Sequence, residues 1–264
     1  MNAMPQGANR IQHADETGIR VKGLLSWVHV NATRWLTLYH WHRKRGREAL
    51  DAIDMWPHIR GRVMHDRWSS YDQYACAHSL CGAHLLRDCL FVAEQEKQPW
   101  AQEMFDLLLA MTRDADRWRA QGMNAIPKAE RENWIAQYFE ILVSGLGTHL
   151  AQAPPNIPIQ PKKTSRKKQD ASKNLLDALL QWAEQVLSFL DDLSIPCTNN
   201  QAERDLRMIK VPQKISGTFR SAEGATAFCI IRSYLSTMRK QGHSMLGALA
   251  AVFAGTPFPI ARGS

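Results

Sequence analysis

Hydrophobic and polar positions along the first third of the chain predict a mixture of strands and helices. Residues 18–42 are rich in Val, Ile, Leu, Thr and aromatic side chains, and the polar stretch NATR interrupts them. This pattern predicts two antiparallel strands joined by a turn. Helical spacing follows at 46–56, and GRVMHD at 61–66 is typical of a short buried strand that ends on an acid. Residues 68–78 then favour a short helix, and residues 81–95 a longer one.

From about residue 97 the pattern changes to long amphipathic helices. Apolar residues recur at helical spacing over 100–120 and 129–150, and no strand signal interrupts them. Residues 153–173 combine Pro, Lys, Arg and Ser with almost no apolar bulk, which predicts a basic loop that only an anion would order. Helical periodicity returns over 174–193.

The remaining pattern predicts two more helices separated by a basic loop. We expect the helices at Gln201 to about Met208 and at Ala222–Lys240. The loop between them carries Lys210, Lys214, Gly217 and Arg220. The chain as a whole is therefore predicted to be α/β, with strands concentrated near its start.

Composition and charge narrow the class of protein. With 45% hydrophobic residues in 264, the chain can bury one large core, or a core and a smaller second unit. A formal net charge of +8 favours an anionic partner, of which nucleic acid is the commonest large one. Five scattered cysteines do not resemble a disulfide framework and are expected to be free thiols in a reducing cytosol. No apolar run approaches the roughly 18 residues of a membrane span, and no signal peptide is expected.

Three acidic residues stand at positions where they could share a site. Glu203, in CTNNQAERDLRMIK, could instead close a helix capping box if Asn200 is the N-cap. Asp15 and Asp66 lie where strands meet connections, so each could be a turn former or a helix cap. Carboxylates from two neighbouring strands and a facing helix can also hold two Mg²⁺ ions about 3.5–4 Å apart for phosphodiester displacement. Spacing alone leaves both interpretations open, because the chain has 25 acidic residues.

A series of short motifs occurs in a fixed order along the chain: DETG, HDRWSSY, CGAHLLRD, NNQAERDLR, Lys214, SGTFRS and TMRKQG. Together they resemble the catalytic half of transposases of the bacterial IS66 insertion-sequence family, which are DDE enzymes. The resemblance runs from about residue 13 to residue 255, and the NNxAER and HDxWxxY blocks are far more specific than any trio of acids. It implies an RNase H-like α/β fold, a mixed sheet flanked by helices, with a helical insertion between the second and third catalytic acids.

The resemblance also implies the roles of particular residues. Asp15 on the first strand, Asp66 at the end of the fourth strand and Glu203 on a late helix would bind two Mg²⁺ ions, for which Mn²⁺ could substitute. The implied domains are a catalytic domain of residues 1–96 and 174–240, a helical insertion of residues 97–173 that ends in the basic loop, and a C-terminal segment of residues 241–264.

The chain also departs from the family pattern. The family normally carries a long N-terminal region with a helix-turn-helix that recognises the ends of the element, and only about 12 residues precede the first motif here. We therefore expect a catalytic part without its targeting part. Arg67 stands where the family usually has Gly, and Gly82 where it has a bulkier residue or Asn. Neither change removes a metal ligand.

The stretch CAHSLCGAH places four potential zinc ligands within nine residues: Cys76, His78, Cys81 and His84. Their crowding and the lack of a second cluster argue against zinc. The resemblance instead implies that Cys81 and His84 support the active site from the start of a helix, while a packing role stays open. Asn199 and Asn200, just before the third acid, are further candidates for this supporting role.

Four basic residues follow the third acid: Arg204, Arg207, Lys210 and Lys214. They could form a solvated helix face, and Arg207 could make an intrahelical ion pair with Glu203. Beside a site that handles a phosphodiester, however, Arg and Lys position the DNA backbone, so we expect these residues to contact DNA. Trp68 and Tyr71 are expected in the core rather than stacked on an unpaired base.

The resulting hypothesis is a bacterial DNA transposase that cuts strands at the ends of its element and joins them to target DNA. We expect it to act in the cytoplasm, at the nucleoid when bound to DNA, as a homo-oligomer on DNA. Accessory proteins of the same element are possible partners. Two alternatives stay open at this point: an RNase H-like nuclease that cuts but does not join, and an inactive DNA-binding remnant.

Overall fold

The computed structural model describes residues 11–152 and 170–261, which form two compact units. The described part of the first unit consists of residues 11–80 and 199–261, and that of the second of residues 81–152 and 170–198. The predicted basic segment lies mostly at 153–169, outside the described residues. The assignment of the domains to catalysis and insertion stays a prediction.

A five-stranded mixed sheet forms the centre of the first unit. Its strands are β1 (Ile11–Val21), β2 (Leu24–Ala32), β3 (Thr37–His42), β4 (Arg62–His65) and β5 (Ala77–Leu80). Their order in the sheet is β3-β2-β1-β4-β5; β1, β2 and β3 pair antiparallel, while β4 and β5 run parallel to β1. This is the strand arrangement of an RNase H-like sheet, so the predicted fold class is confirmed.

Nine helices are present in the described residues. They are α1 (Arg47–Ala52), α2 (Gly82–Gln95), α3 (Pro99–Ala120), α4 (Lys128–Gln152), α5 (Ala171–Gln181), α6 (Ala183–Asp191), α7 (Asn200–Ser216), α8 (Ala222–Lys240) and α9 (Met245–Phe253). A 3₁₀ turn lies at Trp56–His58. Of these helices, α3 and α4 lie within residues 97–173, the predicted insertion, whose role stays a prediction. None of the helices in the described ranges is long and apolar enough to cross a membrane.

The two faces of the sheet carry separate cores because side chains alternate along each strand. On one face, Ile19 and Val30 pack with Leu206 and Ile209 of α7. On the other, Ala14 and Val63 pack with Leu50, Trp56, Tyr71 and Tyr74, which lie in or near α1 and the 3₁₀ turn. We refer to these as the α7 face and the α1 face. Consecutive residues of β1 must therefore point to opposite faces.

The prediction of two strands for residues 18–42 was wrong, because three strands contribute to this stretch. The structure has three strands from residue 11 to residue 42, because an additional two-residue hairpin turn joins Val21 to Leu24. Lys22 and Gly23 both have positive φ angles, 51° and 79°, as tight hairpin turns require. The expected break at NATR does fall at the second turn, which separates β2 from β3.

The short helix predicted at 68–78 is also absent. This stretch forms turns and then enters β5, which begins at Ala77. Tyr71 and Tyr74 belong to the core on the α1 face, so tertiary packing holds the segment without a regular helix. The stretch expected as one helix at 174–193 is interrupted at Trp182, between α5 and α6.

Helix α7 is longer than predicted, so Lys210 and Lys214 lie on a helix and not in a loop. The buried stripe of Ala202, Leu206 and Ile209 continues past the expected end at Met208 and keeps the helix on the sheet. The helix ends at Gly217, whose φ of 75° is accessible to glycine at little cost.

In its described residues, the second unit is entirely helical. Helix α3 packs against α2 and α4, and α5 packs against α2 and α4. Gly145 permits a close approach within this bundle, because a Cβ there would lie 2.8 Å from Leu176 and 2.9 Å from Trp100. Glu96 accepts hydrogen bonds from the backbone N–H groups of Ala171 and Ser172, which anchors the start of α5. No disulfide is formed by the five cysteines, all of which belong to the described residues.

Candidate active site

Asp15 and Asp66 lie side by side at the centre of the sheet. Asp15 is inside β1 and Asp66 directly follows β4, the parallel neighbour of β1. The register pairs His13 of β1 with Met64 of β4. Two residues further along both segments, the same register places Asp15 opposite Asp66. By the same alternation that places Ile19 on the α7 face, both carboxylates point to that face. The structure therefore brings together two of the three acids named from the sequence, while their role as one site stays a prediction.

Backbone hydrogen bonds orient both carboxylates. Asp15 Oδ1 accepts a bond of 2.8 Å from the N–H of Glu16, and Asp66 Oδ1 accepts one of 3.0 Å from the N–H of Trp68. The second contact forms an Asx turn, so Asp66 does act as a turn former, one of the two local roles that its position in the sequence suggested. Asp15 lies within a strand and is therefore neither a turn former nor a helix cap. A local role does not prevent Asp66 from offering its second oxygen to a ligand.

The environment of Asp15 disfavours its charged form. Burial, together with the negative charges of Glu16 and Asp66, raises the pKa of Asp15 to about 7, although the hydrogen bond from the Glu16 N–H and the positive charge of Lys210 act in the opposite direction. These effects show that Asp66 and Lys210 both act on Asp15 electrostatically. Two carboxylates crowded in this way accept positive charge readily, since a cation relieves both burial and mutual repulsion.

We expect Asp15→Asn to make the metal-free protein more stable at pH 8, by about 2 kcal/mol. Because the pKa of Asp15 is raised on folding, the folded chain holds a proton that the unfolded chain loses as the pH rises from about 4 to about 7. Stability is therefore lost over this window in the parent and retained in the variant. The magnitude allows for partial solvent screening of a shift of about three pKa units. Denaturant unfolding at several pH values measures the free energy of unfolding, with Asp106→Asn, at an exposed position, as the control. Parallel curves of stability against pH for the parent and Asp15→Asn would contradict the prediction.

Glu203 is not the third residue of a capping box. The N-cap of α7 is Asn199, so Asn200 is the first helical residue and Glu203 the fourth. The backbone N–H of Glu203 donates to the carbonyl of Asn199. The capping interpretation of Glu203, which required Asn200 at the N-cap, is therefore wrong.

Asn199 instead links the start of α7 to β1. This buried side chain accepts a 2.9 Å hydrogen bond from Nδ1 of His13, and its Nδ2 donates a 2.8 Å bond to the carbonyl of Ala14. Both contacts lie next to Asp15 in sequence, so they fix the first turn of α7 beside the strand that carries the first acid. The supporting role of Asn199 and Asn200 stays a prediction, and Asn200 is exposed.

Glu203 lies one helical turn beyond Asn199 on this anchored helix, which packs against β1 and β2. The ligand atoms of Asp15, Asp66 and Glu203, all described residues, do not all lie within 4.8 Å of one another. The structure thus pairs the first two acids and places the third on the helix that covers their face of the sheet. The catalytic assignment of all three stays a prediction.

The basic residues of α7 form a stripe that begins next to Glu203. Arg207, Lys210 and Lys214 follow Glu203 at steps of four, three and four residues, so the four side chains share one side of the helix. Arg204, Arg207, Lys210 and Lys214 are all exposed. We call Arg207, Lys210 and Lys214, which share one side of α7, the basic stripe. Arg204 lies off that side and is the fourth basic residue predicted to contact DNA. The charge of the stripe reaches the candidate site, because Lys210 lowers the pKa of Asp15.

Sequence reasoning missed two residues that are central to this region, Glu16 and Arg45. The side chain of Glu16 is only 1% exposed and lies on the α1 face, behind Asp15. Arg45 Nη2 lies 2.6 Å from Glu16 Oε1, and the hydroxyl of Tyr71 donates to Glu16 Oε2. A signal was available, since Glu16 directly follows the first acid in the DETG motif. The core position predicted for Tyr71 is confirmed, since it is 1% exposed, and Trp68 packs against the same core.

Cys81 and His84 lie at the start of α2, in the second unit. Cys81 is the buried N-cap, and the N–H of His84 donates to its carbonyl. Gly82 donates its N–H to the carbonyl of Cys197, and a Cβ at Gly82 would lie 2.7 Å from that oxygen. Glycine at this departure from the family pattern therefore permits a close backbone contact. The supporting role of Cys81 and His84 stays a prediction.

Residues 6–227 match the family model described as Transposase IS66 family. No curated protein matches the chain. Among solved structures, the chain is similar to a chain in the cryoEM structure of a simian T-cell lymphotropic virus intasome in complex with PP2A regulatory subunit B56 gamma. The identity is 14%, the match covers 62% of this chain and 65% of that chain, and the TM-score is 0.23. The match thus spans less than two thirds of the viral chain, and a likeness this weak does not bear on function.

Proposed function

We propose, because this chain belongs to the IS66 family of transposases, that it cuts DNA strands at the ends of an insertion sequence and joins the freed 3′-OH ends to target DNA. The observation that carries the proposal is that Asp15 in β1 lies beside Asp66, which directly follows the parallel neighbour β4, under the helix that bears Glu203. The reaction class is phosphoryl transfer, which needs strong electrostatic stabilisation and no covalent protein intermediate.

The donor set fits divalent cations of the Mg²⁺ type. Such ions prefer carboxylate oxygens, and Asp15, Asp66 and Glu203 would supply them. The raised pKa of Asp15 supports this fit, since two crowded acids without a counter-charge are electrostatically unfavourable. When bound, a pair of Mg²⁺ or Mn²⁺ ions would activate the attacking oxygen and stabilise the leaving one.

The chain's own side chains prepare the site for this chemistry. The N–H groups of Glu16 and Trp68 each hold one carboxylate oxygen of Asp15 and Asp66, respectively. Because a carboxylate is rigid, this bond also fixes the direction of its second oxygen. Asn199 fixes the start of α7 to β1 and thereby limits where Glu203 can reach. Lys210 adds a positive charge close to Asp15, where a DNA phosphate must approach.

The basic stripe is the proposed DNA contact. Arg and Lys on an exposed helix face that leads to paired carboxylates can hold the phosphodiester backbone over the reacting position. The alternative of a Glu203–Arg207 ion pair is not favoured, because no such pair within 4.0 Å is present in the parts of the chain that the structure describes. The solvated-face interpretation stays open until DNA binding is measured.

We expect the basic stripe to dominate the salt dependence of binding to duplex DNA. Changing Arg207, Lys210 and Lys214 together to Gln should reduce the slope of log affinity against log salt by about 2–3, because each lost phosphate contact removes about 0.9 from it. Fluorescence anisotropy with a labelled duplex at several salt concentrations measures the slope.

The control for this prediction changes the same net charge elsewhere. Arg87, Arg113 and Lys128 are exposed residues of the second unit, and their triple change to Gln should leave the slope near the parent value. Equal slopes for the two triple variants would show that binding follows net charge and not the stripe.

A strand-transfer assay tests the proposed reaction against its rivals. A labelled duplex with a recessed or blunt 3′-OH end is incubated with supercoiled plasmid and Mg²⁺ or Mn²⁺. A transposase yields labelled plasmid, an RNase H-like nuclease yields only cut DNA, and an inactive DNA-binding remnant yields neither. The reaction is proposed to occur in the bacterial cytoplasm, in a homo-oligomer on DNA, together with accessory proteins of the element. The protein should therefore be in excess over the DNA ends, so that several protomers can assemble on each end.

A further inference from the structure

The α1 face of the sheet carries a buried polar cluster directly behind the two aspartates. It consists of Glu16, Arg45, Trp68 and Tyr71, and we call it the Glu16 network. Both oxygens of the Glu16 carboxylate are engaged: Oε1 accepts from Arg45 Nε at 2.8 Å, and Oε2 accepts from the hydroxyl of Tyr71. Burying a carboxylate without such partners costs much free energy. The segments that carry Arg45 and Tyr71 are therefore held in the one arrangement that keeps both bonds to Glu16.

The network joins the strand of the first acid to the segment that carries the second. Glu16 follows Asp15 in β1, whereas Trp68 and Tyr71 belong to the turn after Asp66. Arg45 stacks over the ring of Trp68 at 4.4 Å and also over that of Trp27 in β2 at 4.9 Å. The guanidinium therefore clamps the turn after β4 against the β1–β2 hairpin.

Residues on either side of Asp66, in β4 and in the turn that follows, fix both of its polar groups. The N–H of Trp68 holds its carboxylate, and Nδ1 of His65 donates to its backbone carbonyl. His65 is fully buried, its ring centroid lies 4.6 Å from that of Tyr71, and its Nε2 lies 2.8 Å from Nδ1 of His78. A shift of Tyr71 or Trp68 would therefore move Asp66 relative to Asp15.

We propose that Glu16, Arg45 and Tyr71 are positioning residues that set the separation of the Asp15 and Asp66 carboxylates from the opposite face of the sheet. The inference rests on the proposed function, because the positions of the two aspartates matter in this way only if they bind a divalent ion together. Residues that orient metal ligands without touching the metal commonly change its affinity by about 10–100-fold. None of the three needs to contact the ion or DNA.

Two tyrosines of the same core provide a matched test. The hydroxyl of Tyr71 donates to Glu16, and that of Tyr74 donates to Asp51 at 2.6 Å, so Tyr71→Phe and Tyr74→Phe each remove one tyrosine–carboxylate bond from the α1-face core. Isothermal titration of the full chain with Mn²⁺, without DNA, measures ion affinity independently of activity. Tyr71→Phe should weaken Mn²⁺ binding about 10–100-fold, and Tyr74→Phe by less than about threefold.

Asp66→Asn separates failure of this inference from failure of the proposed function. If Asp66→Asn binds Mn²⁺ as the parent does, the aspartates are not the metal site and the proposed function fails. If Asp66→Asn loses binding while Tyr71→Phe binds as tightly as Tyr74→Phe, the metal site stands and the positioning role is wrong.

Arg45→Lys repeats the test if Tyr71→Phe does not fold. Lysine keeps the charge beside Glu16 but cannot form the two-nitrogen contact or the stacked planar clamp between Trp27 and Trp68. Thermal unfolding of each variant confirms folding before titration. Weakened Mn²⁺ binding in a folded Arg45→Lys protein supports the inference, and parental affinity overturns it.

Discussion

Glu203→Gln is expected to lower metal-dependent nicking of supercoiled plasmid by more than about 100-fold without unfolding the protein. The change removes one negative charge from a site proposed to hold two divalent cations, and loss of a ligand should cost at least as much as loss of a residue that merely orients one. The helix should tolerate the change, because Glu203 is the fourth helical residue and does not cap α7.

Nicking is measured with Mg²⁺ and with Mn²⁺, and Mn²⁺ titration is measured in parallel so that low activity alone does not decide the result. Glu223→Gln is the matched control, because Glu223 lies in the first turn of α8 and is fully exposed. Asp15→Asn and Asp66→Asn should resemble Glu203→Gln. Parental nicking and Mn²⁺ binding by Glu203→Gln would remove Glu203 from the catalytic triad.

Lys240→Met is expected to destabilise the protein by about 3–5 kcal/mol. Lys240 Nζ lies 3.1 Å from Asp205 Oδ2 and donates to the carbonyls of Thr33 and Leu36, each at 3.0 Å. The side chains of Lys240 and Asp205 are only 10% and 5% exposed. Removing one partner of a buried pair leaves the other charge uncompensated, which accounts for the size of the effect.

Denaturant unfolding at neutral pH measures this loss. Lys128→Met is the control, because Lys128 pairs with Glu132 at 3.7 Å on an exposed surface and should change stability by less than about 1 kcal/mol. Adding Asp205→Asn to Lys240→Met should recover part of the loss, since the double variant no longer buries an unpaired charge. A loss below 1 kcal/mol for Lys240→Met would show that the ion pair is not structurally important.

The sequence by itself determined two things: the local structure of the helical part of the chain, and the family to which the chain belongs. Helices α3 and α4 were predicted nearly to their ends, because their apolar positions repeat every three to four residues and each turn is stabilised within the segment. The family motifs pointed to Asp15, Asp66 and Glu203, since they depend on residue identity and order and not on packing. Periodicity alone gave no reason to prefer these three among 25 acidic residues.

Only the tertiary structure decided which residues surround the acids, because those contacts join positions far apart in the chain. The N-cap of α7 is Asn199 because its side chain bonds His13 and Ala14, 186 and 185 positions away, and no local rule predicts such a choice. The last two residues of the stretch expected as a helix, Ala77 and His78, belong instead to β5, because that strand pairs with β4. Glu16 is buried because strand alternation turns it away from Asp15, toward Arg45 and Tyr71, which the sequence places 29 and 55 positions later.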